Sequence, residues 1–174
     1  MSNLKKIVTI LFLLCTAGVS YAYSEAWGQI NFSYISIKDG LSQSTVFSIA
    51  QDKLGNMWFA TYDGVNKYDG YAFTVYQHDE NDPNSIANDI ARIVMTDSKG
   101  RVWIGTHAGG LSSMDVATRR TRHYPVNASI PINNSCYSLL DGGDGTLWVG
   151  TLNGLLSFDI AAGRFSRHLC TDYE

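Results

Sequence analysis

Apolar and polar positions along this chain alternate in short runs, and no stretch beyond residue 23 keeps a helical period of useful length. The first apolar run spans 46–50 and is echoed at 91–95 and 136–140. Each run is followed by a glycine turn, then by a second apolar run that carries a tryptophan. A second glycine turn comes next, at Gly64, Gly110 and Gly154, and a third run closes at Asp69, Asp115 and Asp159. More polar segments follow at 73–76, 121–124 and 165–168. Short β-branched and aromatic runs between glycine turns predict strands and hairpins, four strands to a copy.

The copies keep one register. Trp58, Trp103 and Trp148 are each 45 residues apart, as are Gly55, Gly100 and Gly145, and Thr61, Thr106 and Thr151. One residue is gained after Trp103, at Gly109-Gly110. Four strands per repeat of this length, each with one Trp-Gly-Thr-like motif, predict the blade of a β-propeller. A four-stranded blade has two apolar faces and cannot hide both alone, so blades stack, and tryptophan is large enough to fill the space between sheets. A β-sandwich does not require this register. The predicted fold is therefore all-β: a partial β-propeller of about three four-stranded blades, at about 43–78, 88–124 and 133–170. An N-terminal closing strand is expected at 32–37, where Phe32 and Tyr34 form a Phe-x-Tyr pattern.

Composition adds the compartment. Apolar residues make up 45% of the 174 residues and charged residues 17%, enough to bury a core. Lys5 and Lys6 precede an apolar run at 7–19, and Ser20-Tyr21-Ala22 offers small residues for cleavage. Residues 1–22 read as a secretory signal peptide, too short in its apolar run to span a bilayer, which leaves 23–174 as an incomplete propeller. Cleavage takes two lysines and no acid, so the net charge goes from −3 to −5. That disfavours nucleic acid and anionic membrane surfaces, and no membrane span is expected in the mature chain. Cys136 falls in a strand-like run and reads as a buried thiol rather than as half of a bridge to Cys170.

The stretch Gly40-Leu-Ser-Gln-Ser-Thr-Val-Phe-Ser-Ile-Ala-Gln-Asp-Lys-Leu-Gly-Asn-Met-Trp-Phe-Ala-Thr-Tyr-Asp-Gly-Val-Asn-Lys-Tyr-Asp-Gly70 closely resembles the opening repeat of the two-component regulator propeller family. The stretch Tyr76-Gln-His-Asp-Glu-Asn-Asp-Pro-Asn-Ser-Ile86 resembles the linker after it. The resemblance covers about 32–170. It implies a periplasmic sensor propeller of a membrane-bound bacterial protein, with histidine kinase or diguanylate cyclase output in a cytoplasmic half. Members with all their blades are longer, so the chain is expected to be an N-terminal fragment of a parent anchored in the inner membrane, and the remaining blades of that parent are expected partners. The ligand is unknown, and an oligosaccharide is implied by resemblance only.

The candidate chemistry is sparse. His78, His123 and His168 share the 45-residue spacing and invite a three-histidine metal site. Outer strands lie roughly 14 Å from inner ones and diverge, too far for shared bonds of about 2 Å. The turn Asp141-Gly-Gly-Asp-Gly145 has too few carboxylates for a calcium loop. The tryptophans sit mid-strand in apolar context and read as core rather than as sugar platforms. No nucleophile, zinc-helix or phosphate-loop motif is present. No catalytic, cofactor-binding or metal residue and no cofactor is expected, and no enzyme activity in this chain. The inner-strand segments 45–51, 90–96 and 135–141 are mostly apolar or hydroxylic, which weakens a lyase or hydrolase fragment; a non-signalling protein-binding scaffold is the other alternative. The expected contact surface is the loops 62–64, 107–110 and 152–154.

Overall fold

The computed structural model describes residues 31–126 and 134–168. Among these, twelve strands form three four-stranded antiparallel sheets and there is no α-helix. The first sheet holds β1 (Val46–Gln51), β2 (Met57–Thr61), β3 (Gly64–Tyr68) and β4 (Phe73–Tyr76). The second holds β5 (Ala91–Thr96), β6 (Arg101–Thr106), β7 (Gly110–Asp115) and β8 (Arg120–Tyr124). The third holds β9 (Cys136–Asp141), β10 (Thr146–Thr151), β11 (Gly154–Asp159) and β12 (Arg164–His168). Each sheet is a simple meander, its strands hydrogen-bonded in chain order. The hairpin glycines Gly55, Gly100 and Gly145 take φ of 88°, 81° and 92°, the left-handed conformation that residues with a Cβ avoid.

The sheets stack face to face, and strand alternation assigns each face. Trp58, Ala60 and Val65 of the first sheet pack on Val94, Val102, Ile104 and Met114 of the second. On the opposite face of the second sheet, Trp103 and Leu111 pack on Leu147, Val149, Leu156 and Phe158 of the third. Trp58 and Trp103 are fully buried. Tyr76 stacks on the Trp58 ring, with centroids 5.6 Å apart, and Tyr124 lies 6.0 Å from that of Trp103. The inner strands are tied directly: Thr96 Oγ1 donates to Gln51 O at 2.8 Å, and Lys53 Nζ donates to Ser98 O. Trp148 is half-buried on the far face of the third sheet, beside Leu140 and Leu155, which are 64% and 40% exposed.

The expected closing strand is not a strand in this chain. Residues 31–36 are irregular and end in a single 3-10 turn, Ile37–Asp39, capped by Ser36. Phe32 and Tyr34 are exposed. A strand forms only where a sheet edge accepts its backbone groups, and among the described residues each sheet already has its own outer strand, β4, β8 or β12, with no fifth strand paired to it. The signal-peptide residues, Trp27 and Cys170 lie outside the described residues.

Candidate ligand-binding face

The register of the sheets sorts their connections to two ends. β1 begins opposite the end of β2, since Val46 pairs with Thr61, and β4 ends opposite the start of β3, since Tyr76 pairs with Val65. The starts of the inner strands, the β2–β3, β6–β7 and β10–β11 turns and the sheet-to-sheet connection 77–90 therefore share one end. The expected contact loops 62–64, 107–110 and 152–154 all lie there.

The repeated threonines hold these turns closed. Thr61 Oγ1 donates to Gly64 O at 3.0 Å and accepts from Asp63 N at 3.0 Å. Thr106 Oγ1 donates to Gly110 O at 3.3 Å and Thr151 Oγ1 to Gly154 O at 2.9 Å. Two aspartates perform the same service at the other end. Asp52 and Asp97 each sit six residues before a tryptophan and accept its indole Nε1–H at 3.0 Å. Asp97 also accepts the Lys99 and Arg101 amides and the Arg101 Nε at 2.7 Å. Burial pushes the Asp97 carboxyl up, but the hydrogen bonds from Trp103, Arg101 and Lys99 outweigh it and hold it below the ordinary carboxylate range. The third copy has Gly142 in this column.

Each inner strand then departs from regular pairing at one and the same repeat position. One extra residue stands between Val46 and Ser48, between Ala91 and Ile93, and between Cys136 and Ser138, so Phe47, Arg92 and Tyr137 are bulged. A bulge frees its residue from the ladder and re-aims its side chain. Here the three converge. The Arg92 guanidinium lies 4.6 Å from the Phe47 ring centroid and 5.7 Å from those of Tyr62 and Tyr137. Phe47 and Tyr62 meet edge to face at 4.8 Å. Tyr62 and Tyr137 remain 45% and 43% exposed, so one cation sits among three rings on an open surface. The sequence reading of 90–96 as apolar or hydroxylic passed over Arg92. The signal was a charged residue in a column whose other members are Phe47 and Tyr137.

The remaining candidates are accounted for locally. His78 Nδ1 contacts Ile86 O at 2.7 Å and His123 Nδ1 contacts Ser112 Oγ at 3.0 Å, each bond confined to its own neighbourhood. His107 Nδ1 lies 3.1 Å from Ser135 Oγ, which also accepts the Ala108 amide. Ser112 and Ser135 are fully buried. Asp141 and Asp144 accept the Gly143 and Thr146 amides of their own turn. No group of three or more metal-ligating side chains occurs among the described residues. Burial pushes the Cys136 thiol up to about 12, which keeps it protonated and inert.

The stacked meanders and their axial loop face define the class: three blades of an open β-propeller. Residues 40–63 match the family model of the two component regulator propeller, and the chain carries that repeat. Histidine kinase P4 of Formosa agariphila is 51% identical over 49 residues, covering 28% of this chain and 4% of that protein. The extracellular domain assigned to the hybrid two component system BT3049 of B. thetaiotaomicron superposes with a TM-score of 0.71 at 31% identity, over 80% of this chain and 20% of that one. Virginiamycin B lyase of Staphylococcus aureus superposes with a TM-score of 0.58 at 16% identity, over 75% of this chain and 43% of the lyase, a likeness of fold alone. The chain thus spans about a fifth of the BT3049 extracellular domain. No helix among the described residues is long and apolar enough to cross a membrane.

Proposed function

We propose that this chain is part of the periplasmic, ligand-sensing propeller of a membrane-bound bacterial signal-transduction protein, exported by its 1–22 leader. The observation that most supports this reading is the 31% identity to the extracellular domain of a two component system along most of the chain. The aromatic face around Arg92 is where a ligand would dock, because loops at the end of a rigid scaffold carry contacts and exposed tyrosines offer flat surfaces for a sugar. Binding there, where the inner strands of three blades meet, can bias how the blades sit on one another, and the rest of a longer polypeptide would relay that change. The buried serines of both Ser–His contacts give no support to a hydrolase reading.

Two measurements test this. Alkaline phosphatase fused behind the chain should be active in a Gram-negative host and lose activity when 1–22 is deleted; equal activity without the leader overturns export. Equilibrium dialysis against a panel of neutral and acidic oligosaccharides should find at least one that binds the chain and is lost with Tyr137→Ala. Binding of none, or binding indifferent to Tyr62 and Tyr137, overturns the assigned face.

A further inference from the structure

Arg92 is a half-buried cation with no carboxylate paired to it among the described residues. Its Nε is out of contact with solvent and has no hydrogen-bond partner among the described residues. A guanidinium offers five N–H donors in a planar fork, and burying even one of them without a partner is costly. Ring faces compensate only in part. The carboxylates at this end are committed elsewhere: Asp63 accepts from Gln77 Nε2 at 2.8 Å and Asp89 from the His78 amide at 2.6 Å. The protein as a whole is acidic, so this positive spot is local and specific. The bulge that creates it recurs in all three inner strands, yet only the middle one carries a charge.

Resting on the docking face proposed above, we infer that the cage of Phe47, Tyr62, Arg92 and Tyr137 is a site for a ring-bearing anion: a carboxylate, or a group of like charge, held by the Arg92 fork while the attached ring stacks on Tyr62 or Tyr137. Planar bidentate recognition of a carboxylate is what arginine supplies and lysine does not. The ring can be a sugar or an aromatic, since both present a flat apolar face. The middle blade has a neighbour on each side among the described residues, and both contribute rings to the cage.

The test is equilibrium dialysis on the whole chain, which counts bound probe per chain whatever its state of association. Two matched pairs serve: digalacturonate with neutral digalactose, and benzoate with neutral benzamide. In at least one pair the carboxylate should bind about tenfold tighter than its neutral partner, the scale of one charge-assisted hydrogen bond. Arg92→Gln should erase that difference, Arg92→Lys should restore only part of it, and added salt should weaken the carboxylate alone. The pair that responds identifies the ring. Unchanged circular dichroism and urea midpoints for the variants keep loss of fold out of the result. If neutral and anionic members bind alike and Arg92→Gln changes nothing while Tyr137→Ala still does, the anion inference falls and the docking face stands. If none of the four probes binds, the anion inference falls, and the oligosaccharide panel decides the face separately.

Discussion

Trp103 fills the gap between the second and third sheets and still has its one polar atom bonded to Asp97. Truncating a fully buried ring between sheets leaves a cavity, so Trp103→Ala should cost about 3–5 kcal/mol. Urea melts would show this, and unchanged stability would mean the ring is not core. Asp97 is a second handle on the same contact. Its carboxyl is held below the ordinary range in the folded chain, so it contributes stability above the unfolded value. That contribution fades as the pH drops below the ordinary carboxylate range and through the lowered folded value. The urea midpoint should fall over that window, and Asp97→Asn should flatten the fall. An equally steep profile in the variant would place the acid sensitivity elsewhere.

At the scale of elements, the residue before each repeat threonine is small, Ala60, Gly105 and Gly150, and at Gly105 the second and third blades approach closely. A Cβ on Gly105 would stand 2.5 Å from Ile93 Cγ2 and 2.7 Å from Cys136 Cβ, the latter on the inner strand of the next blade. Gly105→Ala should therefore push β5, β6 and β9 apart and destabilise by about 1–3 kcal/mol, the range for an overpacked core. Since β5 carries Arg92 and β9 carries Tyr137, the same change should also loosen the aromatic cage. A denaturation midpoint equal to wild type would show that the interface has slack the present geometry does not display.

For the molecule as a whole, the same two surfaces meet twice: a Trp face and an apolar receiving face. Ile49, Met57 and Phe59 on the outward face of the first sheet occupy the columns of Val94, Val102 and Ile104, which receive Trp58 in the second. The outward face of the third sheet presents Trp148, with Leu140 and Leu155 exposed beside it. Complementary faces on opposite ends of one chain favour head-to-tail association. Light scattering behind size exclusion should give masses above the 19.2 kDa of a single chain. Leu140→Asp with Leu155→Asp should lower them. A monomer with one sharp urea transition would show that three blades stand without further cover.

The repeat was legible because a blade is a local object. Its strands follow one another with tight turns, so glycine, threonine and tryptophan columns in one register suffice to specify three meanders. Their stacking follows because neither face of a blade can stay wet. What escaped the sequence was whatever depends on partners across blades. The closing-strand pattern at 32–37 was legible, but each sheet among the described residues is already filled by its own four strands. Nothing in the sequence singles out Asp52 and Asp97, and only the folded hairpin brings them to the indole nitrogens. Arg92 is the one charge in a segment, 90–96, that reads as mostly apolar or hydroxylic. A bulge cannot be seen in residue types, because it is set by how the facing strand pairs. Three bulges at one height, brought together by the packing of β1, β5 and β9, decide that Phe47, Arg92 and Tyr137 share a surface at all.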